Sequence, residues 1–316
     1  MRRRSLKEYL LLFSKGMGMG AADVVPGVSG GTIAFITGIY EELLNSIRSV
    51  NGEALRLLSR FDLKGFWQHI NGTFLVVLVG GILFSIASLS RLVVYLLENH
   101  TILLWAFFFG LIVASALVVG KKITKWRPIV LLSGMVGVAI AYWVTIAVPM
   151  QTPEAYWFIF LSGAIAICAM ILPGLSGSFL LLLMAKYEFM MNALKELKLD
   201  MILVFGAGCV TGLLAFSHVL NWMLKNYYNI TVAMLTGFMV GSLNKVWPWK
   251  ETVQTYTDRH GVVKPLVQEN ISPGTFAQLT GEEPYLLYAV GLAIFGFLLV
   301  YLIDRLTDDP NTVERV

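Results

Sequence analysis

Long apolar runs separated by short polar segments make up most of the chain. Six of these runs are uninterrupted, at 74–97, 102–120, 129–148, 202–224, 231–246 and 285–303. A helix rises about 1.5 Å per residue, so about 20 apolar residues cross a hydrocarbon core roughly 30 Å thick. The pattern therefore predicts six transmembrane helices.

Two further apolar segments are each interrupted by a proline-glycine pair. They are 10–45, which contains Pro26 and Gly27, and 156–194, which contains Pro173 and Gly174. Proline lacks a backbone N–H and clashes with the preceding turn, and glycine is a poor helix former, so each pair is a helix break. The arms of the first segment reach only about 15 and 20 Å, which is less than the bilayer core. We therefore expect two re-entrant helical hairpins.

The sequence around each break is duplicated. Segment 26–31, Pro-Gly-Val-Ser-Gly-Gly, recurs 147 residues later at 173–178 as Pro-Gly-Leu-Ser-Gly-Ser, and small residues of the later spans recur at an offset of 127. The halves 1–151 and 152–316 thus each hold one hairpin followed by three spans. Such a unit crosses the membrane an odd number of times, so the second copy is inserted upside down. The sequence predicts an all-α polytopic membrane protein of two inverted repeats, a plan used by secondary transporters.

Composition and charge agree with this topology. The chain is 57% hydrophobic with a mean hydropathy of +0.71, which excludes an ordinary soluble domain. Sixteen Lys and Arg residues fall on the side that the topology makes cytoplasmic and seven on the other, as the positive-inside rule requires. Both termini are then cytoplasmic, and 248–284 is an external loop from which we infer no chemistry. The net charge of +4 gives no support to nucleic-acid binding.

Each helix break creates a candidate anion site. A serine can cap the helix that restarts after the break, and adjacent small residues let other groups approach the unpaired N–H donors, whose dipole favours an anion. The candidate phosphate-binding residues are Ser29, Gly30, Gly31, Thr32, Ser176, Gly177 and Ser178. The alternative for a lone proline-glycine pair is a packing kink in a transmembrane helix, but duplication at matched positions favours a site.

Two basic side chains occupy equivalent positions within the spans. Arg91 follows a serine in the first half, and His218 follows a serine 127 residues later. Ionisable groups within a membrane are costly to bury and are usually functional, although an arginine near the end of a span can also snorkel to the headgroups. We expect both residues to act as counter-charges to a bound phosphate.

Three carboxylates are candidates for coupling transport to a cation. Asp23 precedes the first break, near the C-terminal end of a half-helix, where it should hold a proton or a cation; the alternative is that it caps the next half-helix. Glu41 and Glu188 belong to a repeated Tyr-Glu-x-x-x-Asn unit at the hairpin bases, and a solvated interfacial role is an alternative for both. The coupling ion would be H⁺ or Na⁺.

Enzymatic alternatives find weaker support. Segment 27–31 matches G-x-S-x-G, so Ser29 with the distant His218 makes an intramembrane serine protease the alternative of another class. A Gly-x-Ser-Gly unit occurs twice, however, where one nucleophile suffices. The sequence has no zinc-ligand spacing and no P-loop, and we expect no resident cofactor or metal.

The two motifs together resemble those of the bacterial polyprenyl-phosphate transporter family, long catalogued as a domain of unknown function. The resemblance is carried by Gly-Met-Gly-Met-Gly-Ala-Ala-Asp-Val-Val-Pro-Gly-Val-Ser-Gly-Gly-Thr at 16–32 and by Leu-Pro-Gly-Leu-Ser-Gly-Ser at 172–178. It implies a translocase that returns undecaprenyl phosphate, the lipid carrier of cell-wall synthesis, from the outer to the inner leaflet of the bacterial cytoplasmic membrane. The expected partners are this lipid and the bilayer, and the sequence leaves the oligomeric state open. A transporter of a small soluble anion is the alternative.

Overall fold

The computed structural model describes residues 4–25, 28–150, 152–257 and 263–307. Within these residues the chain forms fifteen helices and one two-stranded sheet. In the first half the helices are α1 (Leu6–Val24), α2 (Gly30–Ile36), α3 (Tyr40–Arg48), α4 (Gly52–Ser59), α5 (Leu63–His69), α6 (Gly72–Asn99), α7 (Thr101–Lys121) and α8 (Pro128–Ile146).

The second half repeats this order without counterparts of α4 and α5. Its elements are α9 (Tyr156–Ile171), α10 (Gly177–Leu183), α11 (Tyr187–Lys195), α12 (Leu199–Asn226), α13 (Tyr228–Ser242), β1 (Lys250–Thr257), β2 (Val263–Asn270), α14 (Pro273–Thr280) and α15 (Leu286–Thr307). The chain is a mostly helical, multi-pass membrane protein, as the sequence predicts.

Five helices in the described part of the chain are long and apolar enough to cross a bilayer: α6, α7, α8, α12 and α15. They correspond to five of the six predicted spans. The sixth, at 231–246, corresponds to α13, which has only 15 residues because it gives way at Leu243 to a tight turn. In that turn the amide of Lys245 donates to the carbonyl oxygen of Ser242, three residues earlier rather than four.

Both hairpins consist of a longer helix, a gap and a short helix. In the first hairpin α1 ends at Val24 and α2 begins at Gly30; Pro26 and Gly27 lie outside the described residues. In the second, Pro173 and Gly174 lie between α9 and α10, and Gly174 has a φ of +83°, a left-handed conformation that suits glycine. Serines cap both restarting helices, Ser29 on α2 and Ser176 on α10.

Matched glycines pack the hairpins against the long helices. A Cβ on Gly16 of α1 would overlap the backbone of Leu78 in α6, and one on Gly163 of α9 would overlap the backbone of Phe205 in α12. Gly16 and Gly163 are repeat partners, so the same helix pair forms in each half by the same close approach of backbones. These two contacts are alike, while the division of the chain into two inverted repeats stays a prediction.

The two halves exchange their last helices. α7 of the first half packs against α15 of the second, where Gly110 meets the backbone of Ala293. α13 of the second half packs against α8 of the first, where Gly237 meets the backbone of Gly134. Because each half contributes one helix to the other, the two halves form one interlocked core.

The loop at 248–284 has regular structure of its own. β1 and β2 pair antiparallel with a bulge near Gln254, and α14 follows them. Two indole N–H groups hold the start of the loop to its later part, because Trp247 donates to the carbonyl oxygen of Ile271 and Trp249 to that of Pro284, each at 2.9 Å. The all-α prediction thus describes the membrane helices, and the loop adds a β-hairpin.

Candidate functional site

The breaks of the two hairpins contact each other. The hydroxyl of Ser29 lies 3.1 Å from the carbonyl oxygens of both Met170 and Leu172, at the end of α9, and donates to them. The amide of Gly174 donates to the hydroxyl of Thr32 at 3.1 Å. Hydrogen bonds between residues about 140 positions apart thus join the break of the first hairpin to the break of the second.

This contact is closely packed and closed to solvent. Ser29 and Thr32 are each 1% exposed. A Cβ on Gly31 would overlap the carbonyl oxygen of Ile171, and one on Gly174 would lie 2.8 Å from the backbone of Met239. The buried hydroxyl of Tyr40 adds a further bond to the carbonyl oxygen of Ile171, at 3.2 Å. A ligand can reach these groups only if the hairpins separate.

The first amides of α2 already have acceptors within the protein. The amide of Gly30 donates to Asp23 Oδ1 at 2.7 Å, and the amide of Gly31 donates to the Ser29 hydroxyl at 3.1 Å. Asp23 therefore has the capping geometry that was the alternative to a coupling role. An anion at this helix end would have to displace Asp23 from Gly30.

The second hairpin differs at this point. The hydroxyl of Ser176 accepts from the amide of Phe179 at 3.4 Å and lies 2.9 Å from the hydroxyl of Ser178. The repeat partner of Asp23 is Met170, which has no acceptor to offer. Among the described residues, no side chain accepts from the amides of Gly177 or Ser178, so the two candidate anion sites are chemically unequal.

Arg91 and His218 do not join the contact between the breaks. Arg91 lies on α6 and His218 at the equivalent position of α12, and both side chains are exposed. The ring of His218 contacts its own helix, with Nδ1 2.7 Å from the carbonyl oxygen of Leu214. Their proposed contact with a phosphate stays a prediction that requires the headgroup to pass along these helix faces.

The two glutamates of the repeated motif lie in the first turns of α3 and α11, the helices that follow α2 and α10. Glu41 is exposed at the start of α3, and Glu188 is half-buried in α11. The neighbouring Glu42 has a structural role, since it pairs with Arg4 and accepts from Asn71 Nδ2 at 3.0 Å. No repetition in the sequence singled out Glu42.

Two lysines at the hairpins are also absent from the sequence prediction. Lys15 Nζ donates to the carbonyl oxygen of Thr37 at 2.6 Å, at the end of α2. Lys186 Nζ donates to the carbonyl oxygen of Thr152 at 3.0 Å and lies over the rings of Phe158 and Phe189. The carbonyl of Thr37 follows the last residue of α2, and that of Thr152 lies in the segment before α9. Each lysine thus satisfies a backbone carbonyl outside a regular helix and stabilises the hairpin to which it belongs.

An apolar cavity of about 300 Å³ lies beside the second break. Its lining consists of Ala164, Ile165, Cys168, Ala169, Leu172, Leu175 and Leu180. It therefore offers an apolar surface next to the polar groups of the hairpin gap. Among the described residues, no group of three or more His, Cys, Asp or Glu side chains could hold a metal ion.

Comparisons with known proteins give one consistent result. Residues 19–264 match a family described as undecaprenyl phosphate translocase-like. A polyprenyl-phosphate transporter of Vibrio cholerae serotype O1 is 47% identical over 297 residues, which cover 94% of this chain and 96% of the relative. A polyprenyl-phosphate transporter of Staphylococcus aureus is 33% identical over 253 residues, 74% of this chain and 84% of the relative. No solved structure matches the chain. The match to the hairpins and to most of the spans means that this chain belongs to the undecaprenyl phosphate translocase-like family.

Proposed function

We propose that this protein moves undecaprenyl phosphate from the outer to the inner leaflet of the bacterial cytoplasmic membrane and so returns the lipid carrier for reuse. The observation that carries the proposal is the direct contact of the two hairpin breaks, Ser29 against Met170 and Leu172. Irregular backbone is tolerated at membrane depth only where protein or water satisfies it, and transporters use such breaks as substrate sites.

The contact between the breaks suits a gate that opens for a headgroup. It consists of hydrogen bonds from Ser29, Gly174 and Tyr40, each worth a net 0.5 to about 1.5 kcal/mol. Breaking these hydrogen bonds therefore costs about a few kcal/mol, to which the loss of packing at Gly31 and Gly174 adds. The phosphate would accept hydrogen bonds from the hydroxyls of Ser29 and Thr32, in place of their lost partners, and from the first amides of α10. Arg91 and His218 would act as counter-charges on its route.

The prenyl chain would stay outside the gate. The apolar cavity between α9 and α10 supports this arrangement, because it opens beside Leu172 and Leu175 without a polar group in its lining. A carrier of small soluble anions has no use for an apolar surface at this position. This cavity favours the lipid substrate over the soluble-anion alternative.

Inward movement of the headgroup requires a compensating cation. A phosphate monoester carries about −1.5 to −2 charges near neutral pH. Moving it toward a negative interior opposes a potential of 100 mV by roughly 3.5 to 4.6 kcal/mol. Asp23 is the carboxylate at the break, and we propose that it exchanges its bond to the Gly30 amide for a proton or Na⁺ during the cycle.

The serine-protease alternative lacks a base at the serine. Ser29 donates to backbone carbonyls and accepts from the Gly31 amide, and His218 is bonded within its own helix. A nucleophilic serine needs a general base, such as a histidine, within hydrogen-bond reach. This geometry favours a transporter.

A flux measurement in liposomes tests the proposal. Purified protein is reconstituted with a fluorescent short-chain polyprenyl phosphate in the outer leaflet, and its loss from that leaflet is followed under an inward pH or Na⁺ gradient. Protein-dependent flux of the phosphate, but not of the matching polyprenol, is the expected result. Uptake of inorganic phosphate without movement of the lipid would instead assign the chain to soluble-anion transport.

A further inference from the structure

A second and larger cavity, of about 580 Å³, lies under the β-hairpin of the loop at 248–284. Its walls come from the end of α8, from α10, from the segment after α13 and from β2. The polar side chains in its lining are Tyr142, Thr145, Asn244, Lys245, Lys250, Gln268, Glu269 and Asn270. Its volume falls in the range of ligand-binding pockets, roughly 300 to 1,000 Å³.

Two lysines place positive charge in this cavity. Lys245 Nζ lies 4.4 Å from the ring centre of Phe179, and Lys250 Nζ lies 5.1 Å from that of Trp105. Lys250 also donates to the backbone carbonyl of Lys245, so the two residues are neighbours. Among the described residues neither ammonium forms an ion pair, although Glu269 also lines the cavity. Two adjacent cations without a paired carboxylate favour an anionic ligand.

The protonation of Lys250 responds to this crowding. Burial, and then the charge of Lys245, lower the pKa of Lys250 to about 7. The titratable groups that line the cavity in the described part are Tyr142, Lys245, Lys250 and Glu269. A bound anion would favour the charged form of Lys250. By linkage, the contribution of Lys250 to anion affinity is greater below pH 7, where the lysine is protonated, than above it.

The cavity borders α10, the short helix that follows the second hairpin break. Phe179, Leu182 and Leu183 of α10 form one wall. The amide of Phe179 donates to the hydroxyl of Ser176, so the ring beneath Lys245 belongs to the first turn after the break. Phe179, the aromatic neighbour of Lys245, therefore lies within about one helical turn of Ser176 and Ser178 along α10.

We propose that this cavity is a docking site for a phosphate monoester, where the headgroup of the lipid binds before it enters the gate between the hairpins. The proposal rests on the proposed function for the identity of the lipid and deepens it by naming the loading site. Lys245 and Lys250 supply the charge, the β-hairpin covers the cavity, and α10 leads from it to the break. The predicted topology puts this site on the outer side, where the lipid would load.

Ligand protection of Lys250 tests the site directly. A lysine with a pKa near 7 is mostly unprotonated at pH 8, so an amine-acylating reagent that enters the cavity should modify Lys250 of the full-length protein in nanodiscs, with the exposed Lys195 as the reference site. Mass spectrometry would follow both sites with a short-chain polyprenyl phosphate, with the matching polyprenol or with inorganic phosphate. Several-fold protection of Lys250 by the lipid phosphate alone supports the proposal. Equal protection by inorganic phosphate assigns the site to free phosphate, and no protection overturns it.

Substitutions separate this proposal from the proposed function. Lys245→Gln and Lys250→Gln should raise the KM for flux of outer-leaflet polyprenyl phosphate about tenfold, while Lys195→Gln, which removes an exposed charge on the same predicted side, should leave it unchanged. Lys250→Arg should have the same KM as the parent at pH 7. When the pH is raised to 8.5, the KM of this variant should rise less than that of the parent, because arginine stays charged. If the parent transports the lipid and the glutamine variants have the same KM as the parent, the result contradicts the docking site but not the proposed function. A parent that moves no polyprenyl phosphate contradicts the proposed function, and the acylation experiment then still decides whether the cavity binds phosphate.

Discussion

Gly31 lies where the two hairpins touch, and its missing side chain allows that contact. A methyl group there would overlap the carbonyl oxygen of Ile171, which is backbone and cannot rotate away. We expect Gly31→Ala to destabilise the protein by about 1 to 3 kcal/mol, as overpacked cores do, and to reduce flux. Thermal unfolding in detergent and the liposome assay measure the two effects.

Gly206 offers the matched control for this change. It lies within α12, and apart from its chain neighbours and the adjacent backbone of its own helix, no heavy atom lies within 4 Å of the position that its Cβ would take. Gly206→Ala should be neutral or stabilise the helix by about 0.5 to 1 kcal/mol. If both substitutions have the same effect, close contact at Gly31 does not hold the hairpins together.

Asp23 can be tested without loss of its structural bond. In Asp23→Asn the side-chain oxygen still accepts from the Gly30 amide, but the side chain can no longer bind a proton or Na⁺ as a carboxylate. The variant should fold, bind polyprenyl phosphate and lose the dependence of flux on an imposed pH or Na⁺ gradient. A variant that responds to these gradients as the parent does would show that Asp23 is only a helix cap.

At the level of single residues, the sequence identifies local roles better than distant partners. The position of Ser29 after a proline-glycine pair predicts a helix cap, and Ser29 does cap α2. Its bonds to Met170 and Leu172 could not be predicted, because backbone carbonyls of apolar residues carry no sequence signal. The cavity lysines escaped prediction for a similar reason, since Lys245 and Lys250 meet Phe179 and Trp105 only after folding.

Tyr40 and Tyr187 show how duplicated elements acquire different tasks. Both begin the short helix after their hairpin, but Tyr40 is 2% exposed and bonded to Ile171, whereas Tyr187 is 42% exposed. Tyr40→Phe should destabilise the protein by about 0.5 to 1.5 kcal/mol, and Tyr187→Phe should have an effect near zero. Denaturant unfolding of the two variants side by side makes the comparison. Equal effects would mean that the bond of Tyr40 contributes nothing to the contact between the hairpins.

At the level of elements, the hydrophobic pattern predicts most helices and fewer of their ends. Pro173 and Gly174 interrupt an apolar run, and the gap between α9 and α10 lies there. The early end of α13 was missed because Leu243 and Val246 continue the apolar pattern through a turn. The strands of the external loop were missed because 250–257 lacks the alternation of apolar and polar residues that marks a half-buried strand.

The topology of the whole molecule makes a simple prediction about labelling. Gly52 and Lys195 are exposed and lie on opposite sides of the membrane in the inverted-repeat arrangement. In a Cys168→Ser, Cys209→Ser background, Gly52→Cys should react only with reagents on the cytoplasmic side and Lys195→Cys only with reagents outside. Both background serines can still donate to the carbonyl oxygens of Gly212 and Gly163. Labelling of both cysteines from the same side would contradict the inverted arrangement.

The exchange of last helices between the halves sets an order for folding during synthesis. The side of α7 that carries Gly110 packs against α15, which contains Gly296. Gly296 follows Gly110 by about 190 residues. A ribosome that adds roughly 5 to 20 residues per second therefore reaches Gly296 on the order of ten to forty seconds after Gly110. Throughout that interval α7 lies in the bilayer without its partner, and lipid must fill the groove that Ala293 will occupy. In a nascent chain that stops before α15, the surface of α7 around Gly110 therefore lacks its packing partner, so we expect the first half alone not to reach its native packing.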